Sequence, residues 1–439
     1  MRLSVAALLF SALFLTAGTA STFAAPPRVS VPGDWKVLAV DGDLRSRLDI
    51  EPAETESITD EQVVLPLYDE KGPAYKRGYI LKGVKAAECS VKGAAILESV
   101  VVRSEKDGKG KQFNADMDYK VDDWGGIGRL ENSTINEKQP VYITYKFGKM
   151  RIDSVINNKG KLEIRKGESN VSVPKPPVLK DGEKRLANIW LRGDIKFLSD
   201  DDVFPILSDG YKSEKQTPSV AEKLLPKTLE KLNTGNLTIL AWGDSVTDAG
   251  YLPKEDRWQS QFVERLKKAY PKAEITMLTE AWGGRNSGTY LAEPAGSIHN
   301  YQEKVLDVKP DLIVMEFVND AGLNEQQLFQ RYGKLLADFK KIGAEWIILT
   351  PHYVRPDWMG LTSCKNCDDD PRPYVQAVRK FGEKENVAVA EGAKRYGHLW
   401  QMGIPYLTLM TNNINHPDKF GMSLFADALM ELFPVEEKK

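Results

Sequence analysis

Short apolar runs of the length of β-strands dominate the first third of the chain. From Trp35 to about Gly167 no long helical repeat interrupts them. Strands of this kind need a second layer to cover their apolar faces, so the pattern predicts an all-β, sandwich-like domain. The runs are WKVLAV, EQVVLPLY, ILESVVVRS and PVYITYKF, followed by MRIDSVI and KLEIRKG, which are joined by NNKG and predicted to form a hairpin.

The pattern changes after the proline-rich, charged segment VSVPKPPVLKDGEK, residues 171–184, which we interpret as a linker. Short apolar runs now alternate with amphipathic stretches. The clearest amphipathic stretch is NEQQLFQRYGKLLADFKKIG, whose apolar residues recur with a helical period. This alternation predicts parallel βαβ units with helices on both faces of one sheet. The apolar runs are LTILAW, EITML, DLIVMEF, EWIILT and NVAVA.

The N-terminus has the pattern of an export signal. One arginine precedes an apolar run from Leu3 to Leu15, and small residues follow near Ala20 to Ala25. A membrane anchor is the alternative, but the run is shorter than the roughly 20 residues that a span needs. We therefore expect a secreted or periplasmic protein with no membrane span in its mature chain. The predicted division is a signal peptide (1–25), a β-rich accessory domain (26–170), the linker (171–184) and an α/β domain (185–439).

Composition excludes some partners and leaves others open. The 439 residues contain 60 Lys and Arg against 62 Asp and Glu, with a net charge of -2. Because no basic stripe stands out, we expect no nucleic-acid partner. The oligomeric state stays open.

The cysteines and the acidic runs are weak evidence for a metal site or a redox site. Cys364 and Cys367 form a C-x-x-C, but zinc needs two more ligands of that kind. The acidic run 368–370 would raise a thiol pKa, which disfavours a redox catalyst, so we favour a local disulfide. The acidic run 200–202 is interpreted as a solvated loop, with calcium as the alternative. We expect no metal and no cofactor.

The first candidate catalytic residue is Ser245 in the stretch AWGDSVTDAGYL, where it follows the first apolar run of the α/β pattern. A serine or aspartate in this place often caps a helix, so Gly-Asp-Ser alone is a weak signal for a nucleophile. Three later loops support a catalytic role for Ser245. TEAWGGRNSGTY contains Gly283 and Gly284, MEFVNDAG contains Asn319, and TNNINHPDKFG contains His416. Because the carboxyl ends of parallel strands meet at one edge of a sheet, these residues are predicted to converge.

This ordered set resembles the four blocks of the SGNH, or GDSL, hydrolase superfamily over about residues 236–439, and within it the rhamnogalacturonan acetylesterase type. The resemblance implies a flavodoxin-like, three-layer α/β fold and an esterase that needs no cofactor. It implies Ser245 as nucleophile and His416 as base. It further implies an oxyanion hole made of the N–H groups of Ser245 and Gly284 and the side-chain amide of Asn319. The implied substrate is an acylated carbohydrate, above all an O-acetyl ester, or another small ester.

The sequence departs from the superfamily at the third member of the triad. The usual aspartate three residues before the histidine is Asn413. An amide oxygen can orient an imidazole but cannot stabilise the imidazolium as a carboxylate does. We therefore expect Asn413 to act as a neutral orienter, with Asp418 or backbone carbonyl groups as alternatives. Asn413 also keeps open a catalytically degenerate carbohydrate-binding protein, and a GDSL-type lipase is a further alternative.

Other candidates near these motifs have ordinary structural interpretations as well. His299 and His398 are expected to be surface or packing residues, whereas His352 follows a strand end and can line the pocket. Arg285, Trp242 and Trp282 border the predicted site. Tryptophan beside a strand more often belongs to a core than to a binding surface.

Overall fold

The computed structural model describes residues 27–193, 195–213 and 216–434, so the predicted signal peptide lies outside the described residues. Its strands are β1 (Arg28–Gly33), β2 (Lys36–Asp41), β3 (Leu44–Asp49), β4 (Thr55–Val63), β5 (Tyr79–Ile80), β6 (Ala95–Arg103), β7 (Tyr119–Val121), β8 (Gly126–Arg129), β9 (Val141–Gly148), β10 (Arg151–Asn158), β11 (Lys161–Arg165), β12 (Glu183–Leu191), β13 (Val203–Pro205), β14 (Asn236–Gly243), β15 (Glu274–Ala281), β16 (Leu312–Glu316), β17 (Glu345–Leu349) and β18 (Ala388–Ala390). Its α-helices are α1 (Val220–Leu224), α2 (Pro226–Thr234), α3 (Ser245–Asp248), α4 (Trp258–Ala269), α5 (Ser287–Ala292), α6 (Glu325–Ile342), α7 (Pro373–Glu385), α8 (Gly392–His398) and α9 (Lys419–Met430).

The N-terminal part is all-β, as predicted. Antiparallel pairing forms the sheets β1-β2-β3, β11-β10-β12-β13, β4-β9-β6 and β5-β8-β7. The first two sheets contact each other through β1 with β12 and β13, and through β3 with β11. Buried aliphatic residues fill the space between these two layers, among them Val37, Val155 and Leu191. The alternating apolar positions of the strands therefore cover one another across two layers.

The predicted hairpin is confirmed. β10 and β11 pair from Ser154 opposite Arg165 to Asn158 opposite Lys161. The two turn residues are Lys159 and Gly160, with φ of 50° and 93°. Two consecutive positive φ values are the geometry that a tight two-residue hairpin requires, and glycine adopts it without a steric cost.

The structure moves the boundary that the proline-rich segment predicts. β12 and β13 follow residues 171–184, yet β12 pairs with β10 and β13 pairs with β12. The proline-rich segment is thus a connection inside the β part, which extends to Pro205. Composition shows that such a segment is not a regular element, but it carries no information about which strands pair on either side of it.

The C-terminal part has the predicted parallel α/β architecture. Five strands lie in the order β15-β14-β16-β17-β18, with parallel pairing throughout. This is the flavodoxin-like order, in which the second strand is added on one side of the first strand and all later strands are added on its other side. α4 packs with α9 and α6 packs with α7, which gives three layers. The crevice at this change of side lies at the carboxyl end of β14, where ligand sites of such folds occur.

Local sequence accounts for the longest helix. Asn324 caps α6 by accepting from the N–H of Gln327 at 2.9 Å, and the Gln327 side chain accepts from the N–H of Asn324 in return. Gly343 ends the helix in the left-handed conformation with φ of 79°. Both ends follow the usual capping chemistry.

The two parts share a core. One continuous cluster of buried apolar residues includes Trp190 and Phe204 of the β part and Leu237, Trp242 and Phe433 of the α/β part. The side-chain amide of Asn188 in β12 also donates to the carbonyl oxygen of Gly403 at 2.7 Å. The parts therefore pack as one body. Among the described residues no helix is long and apolar enough to cross a membrane.

Candidate active site

Ser245 stands where an interior strand of the parallel sheet ends. β14 ends at Gly243 and α3 begins at Ser245, so the hydroxyl lies at the carboxyl edge of the sheet. A Cβ at position 243 would overlap atoms of α3 and β16, and only glycine fits there. Asp244 caps α3, because its Oδ1 accepts from the N–H of Val246 at 3.1 Å. The capping role thus falls to Asp244 and leaves the Ser245 hydroxyl available.

His416 faces this hydroxyl. Its Nε2 lies 3.1 Å from Oγ of Ser245. The ring of Tyr251 stacks on the imidazole with 4.5 Å between centroids and an interplanar angle of 1°, which fixes the plane of the ring. Burial lowers the pKa of His416, and the charge of Glu88 offsets part of this effect. The imidazole is therefore neutral near pH 7 and able to accept a proton.

A polar loop holds His416 in place. Oδ1 of Asn412 accepts from the backbone N–H groups of Ile414, Asn415 and His416 at 2.9 to 3.0 Å. The N–H of Thr411 donates to the carbonyl oxygen of His416 at 2.8 Å and closes the loop. Asn412 is not among the residues predicted from the sequence. Asparagine side chains often accept from backbone N–H groups that follow them in a loop. An asparagine shortly before the histidine is therefore the signal that could have identified it.

The structure does not bring Asn413 to His416. Oδ1 of Asn413 lies 3.5 Å from Nη1 of Arg355, and the backbone of Asn413 is left-handed with φ of 55°. Asp418, the other candidate, caps α9 by accepting from the N–H of Gly421 at 2.9 Å. The group that contacts Nδ1 of His416 is instead a carboxylate oxygen of Glu88, from the β part. Glu88, which is not among the residues predicted from the sequence, therefore takes the place of the expected neutral orienter.

The glycine loop lies against the nucleophile. A Cβ at Gly283 would stand 3.7 Å from Cβ of Ser245, and Gly284 has φ of 72°. The N–H of Trp282 donates to the carbonyl oxygen of Gly243 at 3.1 Å, which ties this loop to the nucleophile turn. Within the described parts of the chain, the N–H groups of Ser245 and Gly284 make no hydrogen bond to protein atoms. They are free to donate to a substrate oxygen.

Asn319 is bound to the same turn. Its backbone N–H and its side-chain amide donate to Oδ2 of Asp244 at 3.0 and 2.9 Å. An amide nitrogen carries two hydrogens, so one of them remains for a substrate oxygen. Asp244 thus fixes the position of the amide that the sequence predicts as an oxyanion donor.

Two carboxyl groups are buried behind the nucleophile. Burial raises the pKa of Asp244 to about 7, against the hydrogen bonds from Asn319 and Val246. Burial and the neighbouring charge of Asp244 raise the pKa of Glu316 well above its usual value, while Oε2 of Glu316 accepts from the Thr247 hydroxyl at 3.1 Å. Two like charges in one apolar site cannot both be ionised cheaply. Glu316 is therefore neutral when Asp244 ionises.

An aromatic and polar cluster borders the glycine loop. Trp282 is partly buried, its ring stacks on His299 at 4.5 Å, and the Arg285 guanidinium lies 5.0 Å from the ring centroid. Nδ1 of His299 lies 2.7 Å from a carboxylate oxygen of Glu280. His299 was expected to be a surface or packing residue, and it is a packing residue beside the candidate site.

The remaining sequence candidates lie in the interior or elsewhere. Trp242 is fully buried in the core. His352 is also fully buried, with its ring beside Tyr396 and Phe425, so it does not line an open pocket. Nε2 of His398 lies 3.2 Å from the carbonyl oxygen of Gly210.

The cysteines are free thiols, contrary to the expected disulfide. Cys89, Cys364 and Cys367 are all buried, and Sγ of Cys367 donates to the carbonyl oxygen of Cys364 at 3.4 Å. Burial raises the pKa of each to about 12. Cys364 and Cys367 belong to the large apolar cluster, and Cys89 belongs to a small one with Trp124 and Ile414. Among the described residues no group of three or more His, Cys, Asp or Glu side chains is placed to hold a metal ion.

Comparison with known proteins gives a family match and several similar solved structures. Residues 241–424 match the model of the GDSL-like lipase/acylhydrolase family. Solved structures similar to the chain include an acetylxylan esterase from Geobacillus stearothermophilus, with 19% identity, a TM-score of 0.38, and coverage of 47% of this chain and 100% of that one. A two-domain esterase active on acetylated mannans has 17% identity, a TM-score of 0.38 and coverage of 49% and 55%. A putative GDSL-like lipase from Parabacteroides merdae has 16% identity, a TM-score of 0.36 and coverage of 45% and 94%. No curated protein matches the sequence significantly.

Proposed function

We propose that the protein is a serine esterase that removes O-acetyl groups from carbohydrates, and the match of residues 241–424 to the GDSL-like lipase/acylhydrolase family supports this. A match to this family supports a carboxylic ester hydrolase. The single observation that carries the catalytic assignment is the 3.1 Å distance between Oγ of Ser245 and Nε2 of His416. A nucleophile and a base within hydrogen-bond reach are the requirement for covalent acyl transfer.

The first half of the reaction transfers the acyl group to the enzyme. Oγ of Ser245 attacks the ester carbonyl carbon while Nε2 of His416 takes the hydroxyl proton. The carbonyl oxygen becomes an oxyanion, which the N–H groups of Ser245 and Gly284 and the amide of Asn319 stabilise. His416 then gives its proton to the leaving alcohol, and the acyl-enzyme remains.

The second half releases the acid. Nε2 of His416 takes a proton from water, and the hydroxide oxygen attacks the acyl carbon of the ester on Ser245. The same donors stabilise the second oxyanion. The proton returns to Oγ of Ser245 as the carbon–oxygen bond breaks, and acetate leaves.

The surroundings of Ser245 support a polar alcohol rather than a lipid. Of the described residues, none of the large, exposed apolar side chains belongs to the loops 243–252, 282–286 or 317–323. A lipid substrate needs a broad apolar surface at this place. The partly exposed Trp282 with Arg285 beside it offers an aromatic face and a polar group, which suits a sugar ring with its hydroxyl groups. The resemblance of GGRNS and EFVND to rhamnogalacturonan acetylesterases points in the same direction.

Export is part of this proposal. The apolar run from Leu3 to Leu15 and the small residues that follow it support a secreted or periplasmic esterase. Mass spectrometry of the protein from the extracellular and periplasmic fractions of its own organism tests this. An N-terminus near residue 26 is expected, and a full-length N-terminus in the cytoplasm would contradict it.

An ester panel tests the activity. The purified protein is assayed with p-nitrophenyl acetate, butyrate and octanoate, and acetate release is measured from acetylated pectin, xylan and mannan. We expect hydrolysis to fall steeply from acetate to octanoate, and acetate to be released from at least one polysaccharide. A preference for octanoate would indicate the lipase alternative.

Variants separate catalysis from binding. Ser245→Ala is expected to abolish hydrolysis and labelling by a fluorophosphonate probe. Ser423→Ala removes a serine hydroxyl from α9 and is the matched control, expected to behave as wild type. If the wild-type protein hydrolyses no ester yet binds a polysaccharide, the degenerate binding protein is the correct assignment.

A further inference from the structure

We infer that Glu88, a residue of the β part, is the third member of the catalytic triad, so that the active site is assembled from both parts of the chain. The inference rests on the proposed esterase function and extends it. Nothing in the family blocks of the sequence includes residue 88, which lies far upstream of residue 241, where the family match begins.

The geometry places His416 between a carboxylate and a hydroxyl. Nδ1 contacts Oε2 of Glu88, and Nε2 lies 3.1 Å from Oγ of Ser245. The pair has the distance of an ion pair but not the angles of a hydrogen bond. Because an ionised carboxylate only accepts, Glu88 in this place favours a proton on Nδ1, and the lone pair of Nε2 then faces the serine. This is the arrangement in which a carboxylate sets the tautomer and stabilises the imidazolium.

The turn that carries Glu88 is anchored to the loop that carries His416. The N–H of Ala86 donates to the carbonyl oxygen of Cys89 at 2.8 Å, and the N–H of Ala87 lies 3.4 Å from the carbonyl oxygen of Thr411. Sγ of Cys89 donates to the carbonyl oxygen of Asn412 at 2.9 Å. Backbone and side-chain contacts on both sides of Glu88 therefore set its position, although its side chain is 48% exposed.

Apolar packing supports the same contact. Cys89, Trp124 and Ile414 form a small buried cluster between the two parts, with Ala74 and Tyr75 packed against it. Ile414 stands two residues before the histidine. Separation of the two parts would therefore expose this cluster as well as break the carboxylate contact.

The position that normally supplies the acid is unavailable. Asn413 has no carboxylate and contacts Arg355, while Asp418 is used as the cap of α9. A carboxylate from outside the C-terminal loop restores the chemistry that the asparagine removes. The N-terminal part thereby has a catalytic task besides any contact with substrate.

Substitutions at position 88 test the inference through rate and pH dependence. Glu88→Gln and Glu88→Ala are expected to lower kcat by about 10²- to 10⁴-fold, the range for loss of a triad carboxylate or of acid–base assistance, with KM nearly unchanged. The carboxylate raises the pKa of His416, so the acidic limb of the pH profile of kcat/KM is expected to move to lower pH in both variants. A structural role alone would not move this limb.

Controls and a second readout keep the two proposals distinguishable. Glu98→Gln, at an exposed site on β6, is the matched control and should keep wild-type kinetics. In the proton NMR spectrum the wild type is expected to show a downfield Nδ1–H resonance of His416 that is absent from His416→Ala and from Glu88→Ala. If the wild type is an active esterase and the Glu88 variants keep its kcat, pH profile and downfield resonance, the triad assignment is wrong and the proposed function stands. If the wild type is inert toward all esters and the probe, the proposed function fails, and the triad assignment fails with it.

Discussion

Replacement of Asn319 by alanine separates oxyanion stabilisation from folding. The substitution removes the amide that donates to Oδ2 of Asp244 at 2.9 Å and whose other hydrogen is free for substrate. Loss of one oxyanion donor lowers kcat by about 10²- to 10³-fold, equivalent to about 2.7–4 kcal/mol in the transition state. KM should stay nearly constant, because the donor acts mainly on the charge that develops in the transition state.

The same substitution has a separate effect on stability that depends on pH. A hydrogen bond to a charged group contributes about 1.5–3 kcal/mol, and one to a neutral group about 0.5–1.5 kcal/mol. Since burial raises the pKa of Asp244 to about 7, the carboxyl group is largely neutral at pH 5.5 and largely ionised at pH 8.5. The loss of unfolding free energy in Asn319→Ala should therefore be larger at pH 8.5.

The assay combines steady-state kinetics on p-nitrophenyl acetate with urea unfolding at both pH values. Asn324→Ala is the matched control five residues along the chain, since it removes only the cap of α6. It should cost about 1 kcal/mol of stability and leave kcat unchanged. A kcat of Asn319→Ala within threefold of wild type, or a rise in KM at constant kcat, would refute the oxyanion assignment.

Three further outcomes are expected. Burial lowers the pKa of His416, and a protonated imidazole cannot act as the base. As the pH is lowered, kcat/KM should therefore fall with an apparent pKa below 6.5. An apparent pKa above 7 would contradict this. Cys89, Cys364 and Cys367 are buried thiols, so a thiol reagent should modify none of them in the native protein and all three in urea, and fewer than three in urea would indicate a disulfide. A chain that starts at residue 184 loses β10, which pairs with β12, and should be insoluble or inactive; a soluble product with wild-type activity would show that the β part is dispensable.

Local patterns predicted the elements of the α/β part well. The run DLIVMEF became β16, which spans Leu312–Glu316, because a short apolar run between amphipathic helices leaves few other ways to bury both faces. The convergence of the strand-end loops also follows from parallel topology, and the structure places Ser245 beside His416 and Gly283 accordingly. These relations depend on sequence neighbours and on a topology with few alternatives.

Contacts between residues far apart in the sequence could not be predicted in the same way. The stretch AAECS around Glu88 has no motif, and its polar residue resembles any exposed turn residue. The absence of a carboxylate at Asn413 indicated that an acceptor was missing but not where it would come from. The pairing of β12 with β10 across residues 171–184 was hidden for a related reason, since composition describes a segment and not its partner.

The contact between Cys89 and Asn412 joins residues 323 positions apart, which has a consequence for the newly made chain. The ribosome must synthesise the chain as far as Asn412 before this contact can form. Until then the turn of residues 86–89 has no partner loop, and the apolar surface of Trp124 and Cys89 lacks the Ile414 side chain that covers it. Contacts of such separation form slowly, because a long loop must close before they contribute stability. The join between the two parts therefore forms late, and polypeptides shortened before residue 416 contain the nucleophile without its base.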